Sequence, residues 1–136
     1  MTINCKGNLL DLSTPKVMGI INITPDSFYD GGKYKDETEI IAQVETMLAN
    51  GASFIDIGAY SSRPGAKYVD ESEELARIIP IVKLLLKTFP NVLISIDTFR
   101  SRVADECLAL GAAIINDISA GNLDPKMMEI VGKHRA

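Results

Sequence analysis

The segment VLISIDTFRSRVADECLALGAAIIND, residues 92–117, decides the fold class. Its two ends, Val92 to Ile96 and Ala113 to Ile115, are short apolar, β-branched runs, continuous rather than alternating, which is the mark of a strand covered on both faces. Between them, from about Arg100 to Leu110, Val103, Ala104, Cys107 and Leu108 recur at helical spacing, and Gly111 is placed to end the helix. Strand, helix and strand with a tight return make a right-handed βαβ unit, and such units build parallel sheets.

The same unit repeats toward the amino terminus. Val17 to Ile23 and Ser53 to Ile57 are further continuous apolar runs. Ile40, Ile41, Val44, Met47 and Leu48 form a helical stripe after Asp36, Glu37 and Glu39, whose charges favour a helix start, and Gly51 supplies the stop. Leu75, Ile78, Ile79, Val82, Leu85 and Leu86 form another, in which Pro80 is expected to kink the helix or begin a fresh turn. At the far end Asp124 is expected as the N-cap and Pro125 as the first helical residue ahead of Met127, Met128, Ile130 and Val131. Strand and helix thus alternate about four times within one domain, residues 1–136, and no linker or low-complexity tract divides it. Periodicity alone fits an open doubly wound sheet and half of a closed barrel equally well, since both use this unit.

Composition narrows the function classes. Hydrophobic residues at 46% and charged residues at 24% suit a chain that buries a core. A net charge of -4 with no basic stripe argues against nucleic-acid binding. The amino terminus, MTINCKGNLLDL, has neither the basic nor the apolar region of a signal peptide, and no apolar run approaches the length of a membrane span, so a cytoplasmic protein is expected. Cys5 and Cys107 lack metal-site spacing and are read as reduced thiols, Cys107 facing the core; His134 is expected at the surface, without a catalytic part.

Each strand run ends in or near an amide or a carboxylate: Asn22, Asp56, Asp97 and Asn116. In parallel α/β folds the carboxyl ends of the strands gather at one face, so the four should converge. Carboxylates among apolar neighbours need a metal, a cation or ligand N–H donors, although any one of them alone would equally cap a helix or hold a turn. Two long strand-to-helix loops accompany them. TPDSFYDGGKYK, residues 24–35, mixes Pro25, Gly31 and Gly32 with the apolar Phe28 and reads as a mobile flap over a ligand. GAYSSRPGAKYV, residues 58–69, sets Arg63 beside Pro64 and Gly65, a guanidinium suited to a phosphate or carboxylate.

GIINITPDSFYDGG at residues 19–32, DIGAYSSRPGA at 56–66, SIDT at 95–98 and NDIS at 116–119 together resemble, in order, the signatures of the dihydropteroate synthases. The first two stretches are long and specific; the last two carry weight only in company. The resemblance implies a (β/α)8 TIM-type barrel of which roughly the first four βα units are present, a half barrel, and 136 residues do fall short of the roughly 250 that a whole barrel takes. It implies a transferase of folate biosynthesis that joins 6-hydroxymethyl-7,8-dihydropterin pyrophosphate to p-aminobenzoate, with Mg²⁺ as cofactor, and that is a target of sulfonamides. Residue by residue, Asn22 is implied as the Mg²⁺ and pyrophosphate ligand. Asp97 and Asn116 are implied to hold the polar edge of the pterin, Asp97 also approaching the metal, so that Asn22 and Asp97 stand at the reacting end. Ser62, usually threonine in the family, would contact the substrates; Phe28, Arg63 and Pro64 would lie in loops closing over p-aminobenzoate, and Ile118 would pack on the flat pterin face. The implied reaction is substitution at a methylene carbon, without a protein nucleophile.

The chain also departs from the pattern. Ala59, Tyr60, Ser61 and Ser62 stand where the family commonly has Gly-Glu-Ser-Thr, so a phenol replaces a carboxylate. The family's later Ser-Arg-Lys and Arg-x-His motifs are not in these residues. Little or no turnover is therefore expected of this chain by itself, and exposed strand edges would favour self-association or a homodimer. Two other readings stand beside the first: a methyl-transferring pterin-binding barrel, and a non-catalytic half-barrel binding module.

Overall fold

The computed structural model describes residues 1–23, 29–30, 33–34, 37–61 and 64–136. Lys6 and Gly7 both take positive φ, 53° and 83°, the geometry of a primed two-residue turn whose twist matches that of paired strands. It joins β1 (Thr2–Cys5) to β2 (Asn8–Asp11) as an antiparallel hairpin. Four-residue strands are too short for their periodicity to stand out, and the sequence did not announce this pair. After β3 (Val17–Asn22) come two-residue strands, β4 (Tyr29–Asp30) and β5 (Lys33–Tyr34), paired antiparallel within the first long loop. Then follow α1 (Glu37–Ala49), β6 (Ala52–Gly58), α2 (Glu71–Thr88), β7 (Ile94–Asp97), α3 (Ser101–Leu110), β8 (Ile114–Asn116) and α4 (Met127–His134).

The strands β3, β6, β7 and β8 form one parallel sheet in chain order. A doubly wound sheet reverses its strand order at a switch point and covers both faces with helices. Here no reversal occurs within the four strands, and the side facing away from the helices is open: Ile20 and Met18 are 59% and 38% exposed. On the helix side Ile21, Ile55, Ile57, Ile94 and Ile96 are buried against Ile40 and Val44 of α1, Ile78 to Leu85 of α2, and Val103 and Cys107 of α3. Gly19 lets α1 approach closely, because a Cβ there would stand 2.6 Å from the Met47 sulfur. Consecutive parallel strands with helices on one side are the wall of a barrel.

The helices depart from expectation at Pro80 and add to it at Asp124 and His134. Pro80 begins no fresh turn: α2 runs unbroken from Glu71 to Thr88. The proline lies on the exposed side, while Glu74, Ile78, Ile81, Val82 and Leu85 are buried along the other, so packing before and after it holds one helix. Asp124 stands at the entry to α4 as expected: its Oδ1 accepts from the Lys126 N–H at 3.0 Å and its carbonyl from the Met127 N–H at 3.0 Å, although the regular helix begins at Met127 with Pro125 in the turn before it. Its other oxygen, Oδ2, accepts from the Ser101 N–H at 2.7 Å and so also serves the first turn of α3, where Arg100 makes no side-chain cap bond. His134 is not a free surface group: its Nε2 lies 2.5 Å from Asp105 Oδ1, with Lys133 Nζ at 3.1 Å from the same oxygen, and the cluster pins α4 to α3. Cys5 and Cys107 are both buried free thiols, and burial, then Glu74 and Glu106, push the Cys107 thiol up to about 12. Among the described residues no helix is long and apolar enough to cross a membrane.

Candidate functional site at the strand ends

Parallel pairing aligns Asn22 with Gly58, Gly58 with Asp97, and Asp97 with Asn116, so these four occupy one line across the carboxyl ends of the sheet. Residues in line on neighbouring parallel strands point to the same side, here the open one. Gly58 leaves a gap in the row. A Cβ at Gly58 would lie 3.3 Å from Asp97 Oδ2 and 3.7 Å from Asn22 Oδ1, so the bare backbone lets two oxygens face one another across it. The Thr98 N–H donates to Asn116 O at 3.2 Å and fixes the rim between β7 and β8.

Asp56 is not in this row. It aligns with Ile20, Ser95 and Ile114, two residues further down the same face, and is 4% exposed. Its Oδ2 accepts from Asn116 Nδ2 at 3.1 Å. Its Oδ1 and the hydroxyl of Ser95 have no hydrogen-bond partner among the described residues. The four strand-end groups therefore converge, but as a rim of Asn22, Asp97 and Asn116 with Asp56 as its floor.

The face is acidic, and its members repel one another. Burial, then the charges of Asp56, Glu74 and Asp117, push the Asp97 carboxyl up to about 6. Tyr60 packs edge-on to Phe99, with ring centroids 5.2 Å apart, and burial, then Asp97, Glu74 and Asp117, push its phenol up to about 12. It stays a neutral hydroxyl in the place where the resemblance leads one to expect a carboxylate.

Behind the rim lies an ion pair that the sequence did not reveal. Glu74 is fully buried on α2 and pairs with Arg100 Nη1, while its Oε1 accepts from Thr98 Oγ1 at 2.7 Å. Arg100 Nη2 donates to Val69 O at 2.6 Å, and the guanidinium lies over the rings of Phe99, 4.7 Å away, and Tyr68, 5.9 Å away. The pair ties the end of the second long loop to the start of α3, while Thr98, one residue past Asp97, bonds the same Glu74 carboxylate. Its signal was present: Glu74 falls on the same helical face as Ile78, Ile81 and Leu85, where a charge needs a partner.

Of the residues singled out from sequence, Asn22, Asp97 and Asn116 come together. Ile118 is 74% exposed just beyond Asn116, in a turn closed by Asp117, whose carboxylate accepts from the Ser119 and Gly121 N–H groups at 2.8 and 2.9 Å. Pro64 is exposed in the second loop beside Gly65, whose φ is 81°. Phe28, Ser62 and Arg63 lie outside the described residues, as does most of the expected flap. A cavity of about 520 Å³ opens between that second loop and α2, lined by Ile23, Tyr60, Lys67, Tyr68 and Arg77 among others. Among the described residues no three His, Cys, Asp or Glu side chains cluster as a metal cage.

The model of the family described as pterin binding enzyme matches residues 18–136. The chain belongs to this family. It is 46% identical over 125 residues to the dihydropteroate synthase of Staphylococcus haemolyticus, covering 92% of this chain and 46% of that protein. The solved Yersinia pestis dihydropteroate synthase, in a sulfonamide drug complex, superposes with a TM-score of 0.84 at 43% identity, over 98% of this chain and 48% of that one. The Xanthomonas albilineans dihydropteroate synthase with 4-aminobenzoic acid does so with a TM-score of 0.82 at 39% identity, over 99% and 49%. The chain thus spans about half the length of these relatives. The family match fits the strand order: the sheet is part of a barrel wall, and its open face is the barrel's interior.

Two predictions follow from the electrostatics. Arg100→Met leaves Glu74 buried without its cation and should lower unfolding stability by about 3 kcal/mol at pH 7 in urea denaturation; a loss under about 1 kcal/mol would mean that the pair does not hold the loop. Asp97 holds its proton more tightly folded than unfolded, so its contribution to stability is complete below about pH 4 and is lost as pH rises through about 6. In metal-free buffer Asp97→Asn should therefore be more stable than the parent at pH 7.5, by on the order of 1 kcal/mol, with the difference gone at low pH. An advantage that grew on acidification would contradict the assignment.

Proposed function

We propose that this chain is the pterin-binding portion of a dihydropteroate synthase. The observation that carries the reading is the line of Asn22, Asp97 and Asn116 around the bare Gly58, in a chain of the pterin-binding family. A flat heterocycle with donors and acceptors along one edge suits such a rim. Asp97 and Asn116 meet the polar edge of the pterin, and the exposed Ile118 supplies apolar cover for its ring. Ser62, Phe28, Arg63 and Pro64 serve the loops, where the second substrate, p-aminobenzoate, sits; the Xanthomonas relative carries 4-aminobenzoic acid. The TPDSF and RPGA stretches favour this reading over a methyl-transferring barrel.

Magnesium fits the donor set. Mg²⁺ prefers oxygen, keeps several waters and is commonly held by one or two protein oxygens together with substrate phosphates. Asn22 would hold it, with Asp97 across the glycine gap. When bound it would stabilise negative charge on the departing pyrophosphate. The chain's own residues orient the pterin methylene, and covering loops keep water from it while the amine nitrogen forms its bond to carbon and the carbon–oxygen bond to pyrophosphate breaks. Tyr60, neutral through the physiological range, adds no charge to the site. Two buried free thiols suit a reducing compartment, and we assign the protein to the cytoplasm.

Calorimetric titration of the pterin pyrophosphate with Mg²⁺ into the parent and into Asp97→Ala tests the reading: binding should weaken by roughly tenfold or more in the variant, the worth of a charge-assisted hydrogen bond. Equal affinities would contradict it. The open face bearing Met18 and Ile20, with free edges on β3 and β8, should also make this chain associate with itself. Sedimentation at micromolar concentration is expected to give dimers or larger species, and a clean monomer would overturn that expectation.

A further inference from the structure

The floor of the rim carries a second message. Asp56 is buried, yet one of its oxygens has no partner among the described residues, and the hydroxyl of Ser95, its fully buried neighbour in register, has none either. Buried polar atoms are nearly always satisfied, so two orphans side by side beneath a ligand face mark groups kept for a purpose that a packed core does not need. The other oxygen of Asp56 shows what that purpose is. It takes a hydrogen bond from Asn116 Nδ2 at 3.1 Å. A carboxylate offers only acceptors, so the nitrogen of the Asn116 amide must face it, and the planar amide then turns its oxygen the opposite way. Asn116 itself is exposed at the rim. An isolated asparagine would present either end of its amide to a ligand; this one is held in one sense from below.

We propose that Asp56 is a positioning residue that locks the Asn116 amide with its oxygen outward, so that the rim selects a heterocycle presenting N–H donors over one presenting carbonyl acceptors at the same place. The inference rests on the pterin-binding reading for its ligand class but not for its geometry. Selectivity arises because a carbonyl placed against the Asn116 oxygen would leave two acceptors facing each other, and Asp56 prevents the amide from turning over to relieve them. Among the described residues Asn116 is the one donor that Asp56 engages, the neighbouring Ser95 hydroxyl being left unbonded.

The experiment compares pterin with lumazine, in which the exocyclic amine is replaced by a carbonyl, using ligand fluorescence on the parent, on Asp56→Asn and on Asp56→Asn combined with Asn116→Asp. The parent should prefer pterin by roughly tenfold, about 1.4 kcal/mol. Asp56→Asn lets the Asn116 amide turn either way and should reduce the preference to near unity. The double variant exchanges the two groups, again places an oxygen outward, and should restore it; a purely structural role for Asp56 would not produce this rescue. An unchanged preference in Asp56→Asn, or failure of the exchange to restore it in a folded double variant, would overturn the proposal. In parallel, the scalar coupling across the hydrogen bond from the Asn116 side-chain nitrogen to the Asp56 carboxyl carbon should be present in the unliganded parent by NMR. If the parent binds neither probe, the pterin reading fails by itself, and the coupling then decides the positioning claim: its presence supports the lock and its absence removes it.

Discussion

Everything at this site depends on the register of four parallel strands. One line of pairing, Asn22–Gly58–Asp97–Asn116, brings together side chains that are up to 94 positions apart in the chain (116 − 22), and the next line down supplies their floor. A slip of one residue on β7 would turn Asp97 into the helix layer and bring Ile96 to the open face, exchanging a buried apolar residue for a carboxylate. The outward isoleucines of β6 and β7, buried against three helices, forbid that slip. Hydrophobic packing on one side of the sheet thus fixes the chemistry on the other.

The acidic rim is held in place against burial and the mutual repulsion of its carboxylates, to which Glu74 adds. Burial, and then repulsion from Asp56, Glu74 and Asp117, push the Asp97 carboxyl up to about 6. Arg100 is a buried positive charge that is used structurally, bonding Glu74 and the Val69 carbonyl while its guanidinium lies over Phe99 and Tyr68. The second long loop is therefore anchored at its far end to Arg100, three residues past the rim. Tyr60 joins the same aromatic contact through Phe99 and keeps a neutral group where another carboxylate would add to the repulsion.

Much of this was legible in the amino-acid sequence, and the remainder was hidden for identifiable reasons. The continuous apolar runs ending in Asn22, Asp97 and Asn116 gave both the parallel sheet and the rim, because an apolar run and the polarity of its end are local signals, although one face of the sheet, with Met18 and Ile20, proved open rather than covered. The depth of Asp56 was not legible: its position relative to Asp97 depends on the pairing register between strands, which no local pattern encodes. Pro80 misled because the helix-breaking tendency of proline is local, whereas the packing of Ile78 and Ile81 on either side of it is tertiary. Asp124 was legible as the residue at the entry to α4, but the service of its second oxygen to α3 across space was not, since that contact is tertiary. Lys6–Gly7 joins strands too short for alternation to be counted. Phe28, Ser62 and Arg63, named from the motifs, fall outside the described residues, so their part rests on the family pattern alone.

The central claim is that the open face of the sheet at its strand ends is the pterin site. The most direct measurement is to map backbone amide shifts by NMR as the pterin pyrophosphate is added to the protein in the presence of Mg²⁺. The changes should concentrate at Ile23, Gly58, Asp97, Thr98 and residues 116–119, leaving the helix-side isoleucines and the contact between α3 and α4 undisturbed. Shifts confined to the outer groove between α2 and α3, or spread evenly over the chain, would contradict it.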